Sequence, residues 1–234
     1  MKYNIMGGVK YNPVLSMIKF PLAYLVVVLH LGLHYQHDFY PNAGILHLTE
    51  EFINMFEVLF SKYIVHLAVP TFFVISGYLF FKNVNEFTRS IYWIKIKSRS
   101  ISVLLPYLLW NLLYLAFLLF MKTLGVIVHG NDIKGIIEFV QENGGYCNMI
   151  WSCQELVQKN VFGNTVISYF PINAPLWFLR DLYITMLFSP IIYFFAKKTN
   201  MWFIVIMGCL YYLQWQLPFP GVSITAIFFF SLGA

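Results

Sequence analysis

From Ile101 to Met121 the chain runs without a charged side chain, and a stretch of that kind has few stable destinations. A bilayer's hydrocarbon core is about 30 Å thick, and roughly 20 apolar residues in one helix cross it. Five stretches qualify: Pro13–Leu33, Ile64–Phe81, Ile101–Met121, Pro175–Ala196 and Met201–Leu217; a sixth, Phe219–Ala234, is still apolar at the last residue. Only 11% of residues are charged and 59% are hydrophobic, whereas soluble domains carry about 25% charged residues. That balance cannot coat a globule with polar surface, which excludes a soluble enzyme. The scarce, scattered charge also excludes disorder and nucleic-acid binding. Barrel strands would alternate apolar and polar residues; these runs are apolar all round. The sequence therefore predicts an all-α, polytopic transmembrane helical bundle with five complete spans and a sixth at the C-terminus. The first stretch does not read as a cleaved signal, because His34, Tyr35 and Gln36 follow it rather than a small-residue cleavage site.

Basic residues set the orientation. With the N-terminus in the cytoplasm, the inner segments hold ten of the fifteen Lys and Arg residues and only Glu86 of the ten acids. This predicts a cytoplasmic segment 1–12, a membrane domain 13–234, a basic inner loop Lys82–Ser100, and acidic outer loops 34–63 and 122–174, in a multi-pass protein of the inner (plasma) membrane. In Ala43–Tyr63 apolar residues recur near helical spacing, predicting an amphipathic surface helix. Ile133–Val140 reads as a short helix ending at Gly144–Gly145.

Ionisable residues inside spans are costly and are the first functional candidates. Lys19 and His30 fall on nearly the same face of one helix, roughly 16 Å apart along its axis, with Pro21 either kinking that helix or starting it. Both can line one channel. Equally, Lys19 can snorkel to inner headgroups and His30 can close the outer end of the span beside His34 and His37. Arg180 and Asp181 are placed where the fourth span meets the outer surface, paired with each other or with another helix. His66 opens the second span. Tyr63, Trp93, Trp177, Trp202 and Trp215 read as interface anchors. Cys147 and Cys153 share an outer loop and either pair or stay as thiols; Cys209 reads as span packing. No ligand spacing suggests a metal.

Four motifs then occur in order. Lys19-Phe-Pro-Leu-Ala-Tyr-Leu-Val-Val-Val-Leu-His30 is similar to the first-helix motif of the family-3 membrane acyltransferases, a basic residue followed at this spacing by histidine. Val69-Pro-Thr-Phe-Phe-Val-Ile-Ser-Gly-Tyr78 resembles that family's second-helix signature. The basic loop running into Ser102-Val-Leu-Leu-Pro-Tyr107 and Trp110 resembles its R-x-x-x-R…P-Y segment, and Pro175-Leu-Trp-Phe-Leu-Arg-Asp-Leu182 resembles its LWFL helix start. The resemblance covers roughly residues 15 to 234, and the chain reads as an N-terminal portion of the family's usual ten-span domain. Position 19 departs from the family's arginine; lysine keeps the charge without the planar fork.

The resemblance implies transfer of an acyl group, commonly acetyl, from an acyl-CoA donor substrate to a hydroxyl of a cell-surface glycan or lipid-linked envelope molecule, with no permanently bound cofactor. His30 is then the catalytic residue, as general base or through an acyl-histidine. Lys19, Lys95, Lys97 and Arg99 are donor-binding candidates, since clustered cations suit phosphate oxygens; the same cations also enforce topology and touch anionic lipid. Ser76 and Arg180 are supporting candidates, with Gly77 permitting close helix packing. Two other readings compete. One is a transporter or flippase-like subunit, against which no duplicated half is found. The other is an inactive shortened remnant.

Overall fold

The computed structural model describes residues 17, 20–22, 24–26, 65–84, 86–129, 134–160, 162–163, 165–199, 201–217 and 219–234. The candidates Lys19 and His30, the loop 34–63 and its expected surface helix lie outside these residues. The chain divides into two compact units, Met1–Ile75 and Ser76–Ala234, and the division falls inside helix α1 (Ala68–Phe81).

In the first unit, residues 17, 20–22 and 24–26 are helical. A 3-10 turn, Val65–Leu67, leads into α1. Pro70 sits in the first turn of α1, where a missing N–H leaves no intrahelical bond unmade. The Thr71 hydroxyl donates back to Leu67 O at 2.7 Å. His66 is exposed on this turn.

The second unit is built on one long rod. Helix α2 (Arg89–Arg99) passes through a π-helical turn, Ser100–Leu104, into α3 (Leu105–His129). Thr88 caps its start by accepting from Ile91 N. The π turn has a local cause. Pro106 has no N–H, and its ring would crowd the carbonyl of Ser102 in an ordinary α-helix. Widening the preceding turn, with Leu105 N–H reaching Ser100 O, relieves that clash without breaking the rod. The apolar helix spans Arg89–Val128, 40 residues, about 60 Å at 1.5 Å per residue and twice the bilayer core. The expected inner loop is therefore mostly helix: of its basic residues, Arg89, Lys95, Lys97 and Arg99 lie on the first turns of the rod and Lys82 precedes it.

The segment expected to be a free outer loop is folded. Helix α4 (Lys134–Glu142) matches the short helix expected at 133–140 and ends before Gly144–Gly145, both at positive φ. Helix α5 (Gly145–Trp151) follows. Strands β1 (Gln154–Lys159) and β2 (Thr165–Phe170) then pair antiparallel, Gln154 opposite Phe170 and Lys159 opposite Thr165. The described residues are otherwise mostly helical, as the all-α expectation has it; this hairpin is the exception, with the β-formers Val157, Thr165, Val166, Ile167 and Tyr169 on either side of the turn residue Gly163. The segment lies back along α3. Leu115, Val140, Met149 and Ile172 form one buried cluster, with Leu118, Leu119 and Phe139 packed against it.

The fourth apolar stretch is not one straight span. A 3-10 turn, Ala174–Leu176, opens α6 (Trp177–Leu187), and α7 (Ser189–Thr199) leaves it at 63°. Pro190 provides the break, since its ring cannot follow the preceding turn. Helix α8 (Met201–Tyr212) ends short of the expected Leu217, and α9 covers Ile224–Leu232 of the sixth stretch. Among the described residues one helix is long and apolar enough to cross a membrane, or two if the bent pair counts as one span. Gly77 of α1 lies against the backbone of α9: a Cβ there would fall 2.0 Å from Phe230 O. Only a glycine permits that approach.

Candidate functional site

The most heavily engaged charged pair among the described residues is on α6. Arg180 and Asp181 are both buried, at 3% and 4% exposure. Sequence neighbours on a helix do not face each other, so the arginine folds over to reach its neighbour. Nε and Nη2 each lie 2.9 Å from Asp181 Oδ1. Nη2 also donates to Tyr169 O of β2 at 3.0 Å, and Nη1 donates to Trp151 O at the end of α5. The guanidinium carbon sits 5.7 Å from the Trp151 ring centroid. Gly221, at φ +92, follows Pro220 and closes over this stack: a Cβ there would lie 3.1 Å from the Trp151 ring and 3.4 Å from Arg180 Nε. The Pro-Gly pair makes the turn, and the absent side chain makes the room.

The pair borders a cavity of about 230 Å³. Its walls come from β2, from α6 and from the connection between α8 and α9, with Trp177, Trp215, Ser168 and Gln216 among the lining side chains. Gln216 Nε2 donates to Ser168 Oγ at 3.2 Å. Trp177 and Trp215, expected as interface anchors, are thus also cavity walls.

The segment 134–173 folds back along the rod: the Tyr107 hydroxyl donates to Ile150 O, and the Asn173 N–H donates to Asn111 Oδ1 at 3.3 Å. The Tyr183 hydroxyl, on the same helix as Arg180, is 2.8 Å from Ser100 Oγ, and Tyr92 OH donates to Leu187 O at 3.2 Å. Tyr107 stands about 12 Å along the rod from Arg99. The pair is therefore near the Leu105 end of α3, where it joins the basic helix α2, and not near its far end. Asn111, fully buried and also donating to Tyr107 O at 2.9 Å, holds this fold-back. It was not singled out in the sequence, although an asparagine inside an apolar run was a signal. Trp110, the residue in the matched motif, is exposed.

The donor-binding candidates separate. Lys95 Nζ donates to Phe80 O at the end of α1 and lies 5.5 Å from the Phe80 ring; it caps that helix end, where a cation is favourable. Arg99 is half-buried one turn further on, on the same face of α2, while Lys97 is exposed on the opposite side. Ser76 is half-buried beside the buried Gly77.

The three cysteines are free thiols. Cys209, expected to pack within a span, is exposed, as is Cys147. Burial pushes the Cys153 thiol above its ordinary range, against a smaller opposing effect of a backbone hydrogen bond. A raised pKa leaves less thiolate near neutral pH. In a Cys209→Ser background, a water-soluble maleimide should label Cys147 first, and labelling of Cys153 should climb steeply as pH rises. Equal rates at neutral pH would contradict the buried placement of Cys153. Among the described residues no cluster of His, Cys, Asp and Glu could hold a metal ion.

A family model described as an acyltransferase domain matches residues 15–234. One curated relative, the succinoglycan biosynthesis protein ExoH of Rhizobium meliloti (strain 1021), is 25% identical over 184 residues. The match covers 77% of this chain and 43% of the relative, so the chain spans less than half of that protein's length. No solved structure matches the chain.

Proposed function

Because the chain belongs to the acyltransferase domain family, we propose that it is a multi-pass plasma-membrane enzyme that moves an acyl group, acetyl first among candidates, from acyl-CoA to a hydroxyl of an envelope glycan. The family match over nearly the whole chain carries this reading, and the relative named for succinoglycan biosynthesis supports a glycan acceptor. Residues 1–12 lie in the cytoplasm and 13–234 in and around the membrane. The donor approaches from the basic end of the rod. On the first helix Lys19 is the donor contact, and on the rod Arg99 is; Lys97, on the opposite side of α2, and Lys95, engaged with Phe80 O, contribute charge rather than a direct contact.

His30 in its neutral form takes the proton of the acceptor hydroxyl as that oxygen attacks the thioester carbonyl. The carbonyl carbon–sulfur bond then breaks. The departing thiolate takes the proton back from the imidazolium, leaving ester and free coenzyme A thiol. Lys19 stands too far along the helix to activate His30 directly and acts by positioning the donor.

The test is expression of the chain in a strain lacking surface-glycan acetylation, with ester-linked acetate measured on the isolated glycan. The parent chain restores acetate and His30→Ala removes it, while Lys19→Ala lowers it by raising the donor concentration needed. Equal acetate from the parent and His30→Ala would overturn the assignment of the base, and no acetate from the parent would overturn the activity of this chain.

A further inference from the structure

A guanidinium carries five N–H donors, and each of the three nitrogens of Arg180 makes a hydrogen bond inside the protein. Nε donates to Asp181, Nη2 to Tyr169 O and Nη1 to Trp151 O, and Nη2 also lies at ion-pair distance from Asp181 Oδ1. An arginine so engaged has little left to clamp an anion, and the adjacent carboxylate cancels its charge. The bonds to that carboxylate fall on Oδ1, and Asp181 is itself part of the cavity lining. The pair therefore presents the cavity with a fixed acceptor oxygen, suited to a ligand hydroxyl. Ser168 and Gln216 add polar groups at one wall, and Trp177 and Trp215 add indole surface. Trp215 is 59% exposed, so its ring is available to a ligand. The cavity's size also discriminates: about 230 Å³ lies below the ~300–1,000 Å³ of drug-sized pockets. That is a space of the size one small ring fills.

We infer that this cavity is a saccharide subsite, in which one neutral sugar ring of the acceptor stacks on tryptophan and donates a hydroxyl to Asp181. The inference rests on the glycan-acceptor reading above and gives it a location. A pyranose has an apolar C–H face and a rim of hydroxyls, which matches indole walls beside a carboxylate. Arg180, which also lines the cavity, serves here to fix Asp181. The fold-back of the segment 134–173 creates the site, since β2 supplies one wall and Trp151 the floor under Arg180.

The purified chain in lipid nanodiscs is titrated with methyl β-glucoside and methyl β-galactoside while tryptophan fluorescence is read, with coenzyme A as the anionic competitor. At least one glycoside should quench saturably. The quench should vanish in Trp215→Ala and weaken about tenfold in Asp181→Asn, the equivalent of one charge-assisted hydrogen bond. Coenzyme A should leave it unchanged. Trp215 is exposed and its removal disturbs little packing, so that variant decides the matter even where Asp181→Asn fails to fold. No quench by either glycoside, a quench unchanged in Trp215→Ala, or displacement by coenzyme A would overturn the subsite. Acetate transfer by the same preparations separates the two readings. Binding without transfer by the parent chain would remove the proposed function and keep the subsite. Transfer by a chain that binds neither glycoside would do the reverse.

Discussion

Arg180→Ala is expected to destabilise the chain by about 3–5 kcal/mol, the usual consequence of removing one partner of a buried ion pair. Three groups lose their donor at once. Asp181 keeps a carboxylate at 4% exposure with nothing opposite it, and the carbonyls of Trp151 and Tyr169 lose the N–H groups they accept from. Arg180 ties the segment that carries them to α6, whereas Tyr107 and Asn111 tie it to the rod. The loss should therefore appear as loosening of the hairpin before the rod melts. Thermal unfolding in detergent, with hydrogen exchange read at 150–170, checks both the size and the order. Replacing both partners by apolar residues of similar volume, Arg180→Met with Asp181→Leu, should recover much of the stability, because no unpaired charge remains. A single-variant loss under about 0.5 kcal/mol, typical of an ordinary surface change, would mean that water replaces the guanidinium and the pair is not structural.

Gly77→Ala is expected to cost about 1–3 kcal/mol, the range for inserting volume where nothing can move aside. The atom in the way is a backbone oxygen, 2.0 Å from the new Cβ, with the Phe230 carbonyl carbon at 2.9 Å. A flexible side chain could yield; helix α9 must shift as a body. The aromatic packing of Phe80 and Phe81 against Phe230, with ring centroids 5.8 Å apart in each pair, would open with it. Gly125, whose Cβ would meet nothing within 4 Å, is the control: Gly125→Ala should be neutral or slightly stabilising, through helix propensity. Similar melting temperatures for the two alanine variants would show that α1 and α9 do not approach as described.

Much of the architecture was legible in the residues. Long apolar runs without alternation dictate helices, and each run from Ile64 onward contains helix, although the fourth is bent into two and the fifth and sixth are helical only in part. Ile133–Val140 was readable as a short helix because its glycines follow immediately. The resemblance on four motifs led to the family that the match over residues 15–234 establishes. Within the Val69–Tyr78 motif, Gly77 was read as a close-packing position, and Phe230 is what it packs against. The stretch Lys82–Ser100, expected as a basic inner loop, is helical from Arg89 onward. Lys95 and Arg99 share one face and Lys97 takes the other, which a count of basic residues does not register.

Helix periodicity, the scarcity of charge and the Pro and Gly signals act over one or two turns, so the linear order of residues settles them. The Arg180 site depends on carbonyls 29 and 11 residues away, on a cavity wall from the α8–α9 connection, and on Asn111 drawing residue 173 to the rod. A backbone carbonyl has no side-chain identity, and every residue offers one. Which carbonyls Arg180 meets, and therefore whether its charge faces a ligand or the protein, is decided only when the segment 134–173 packs back against the long helix.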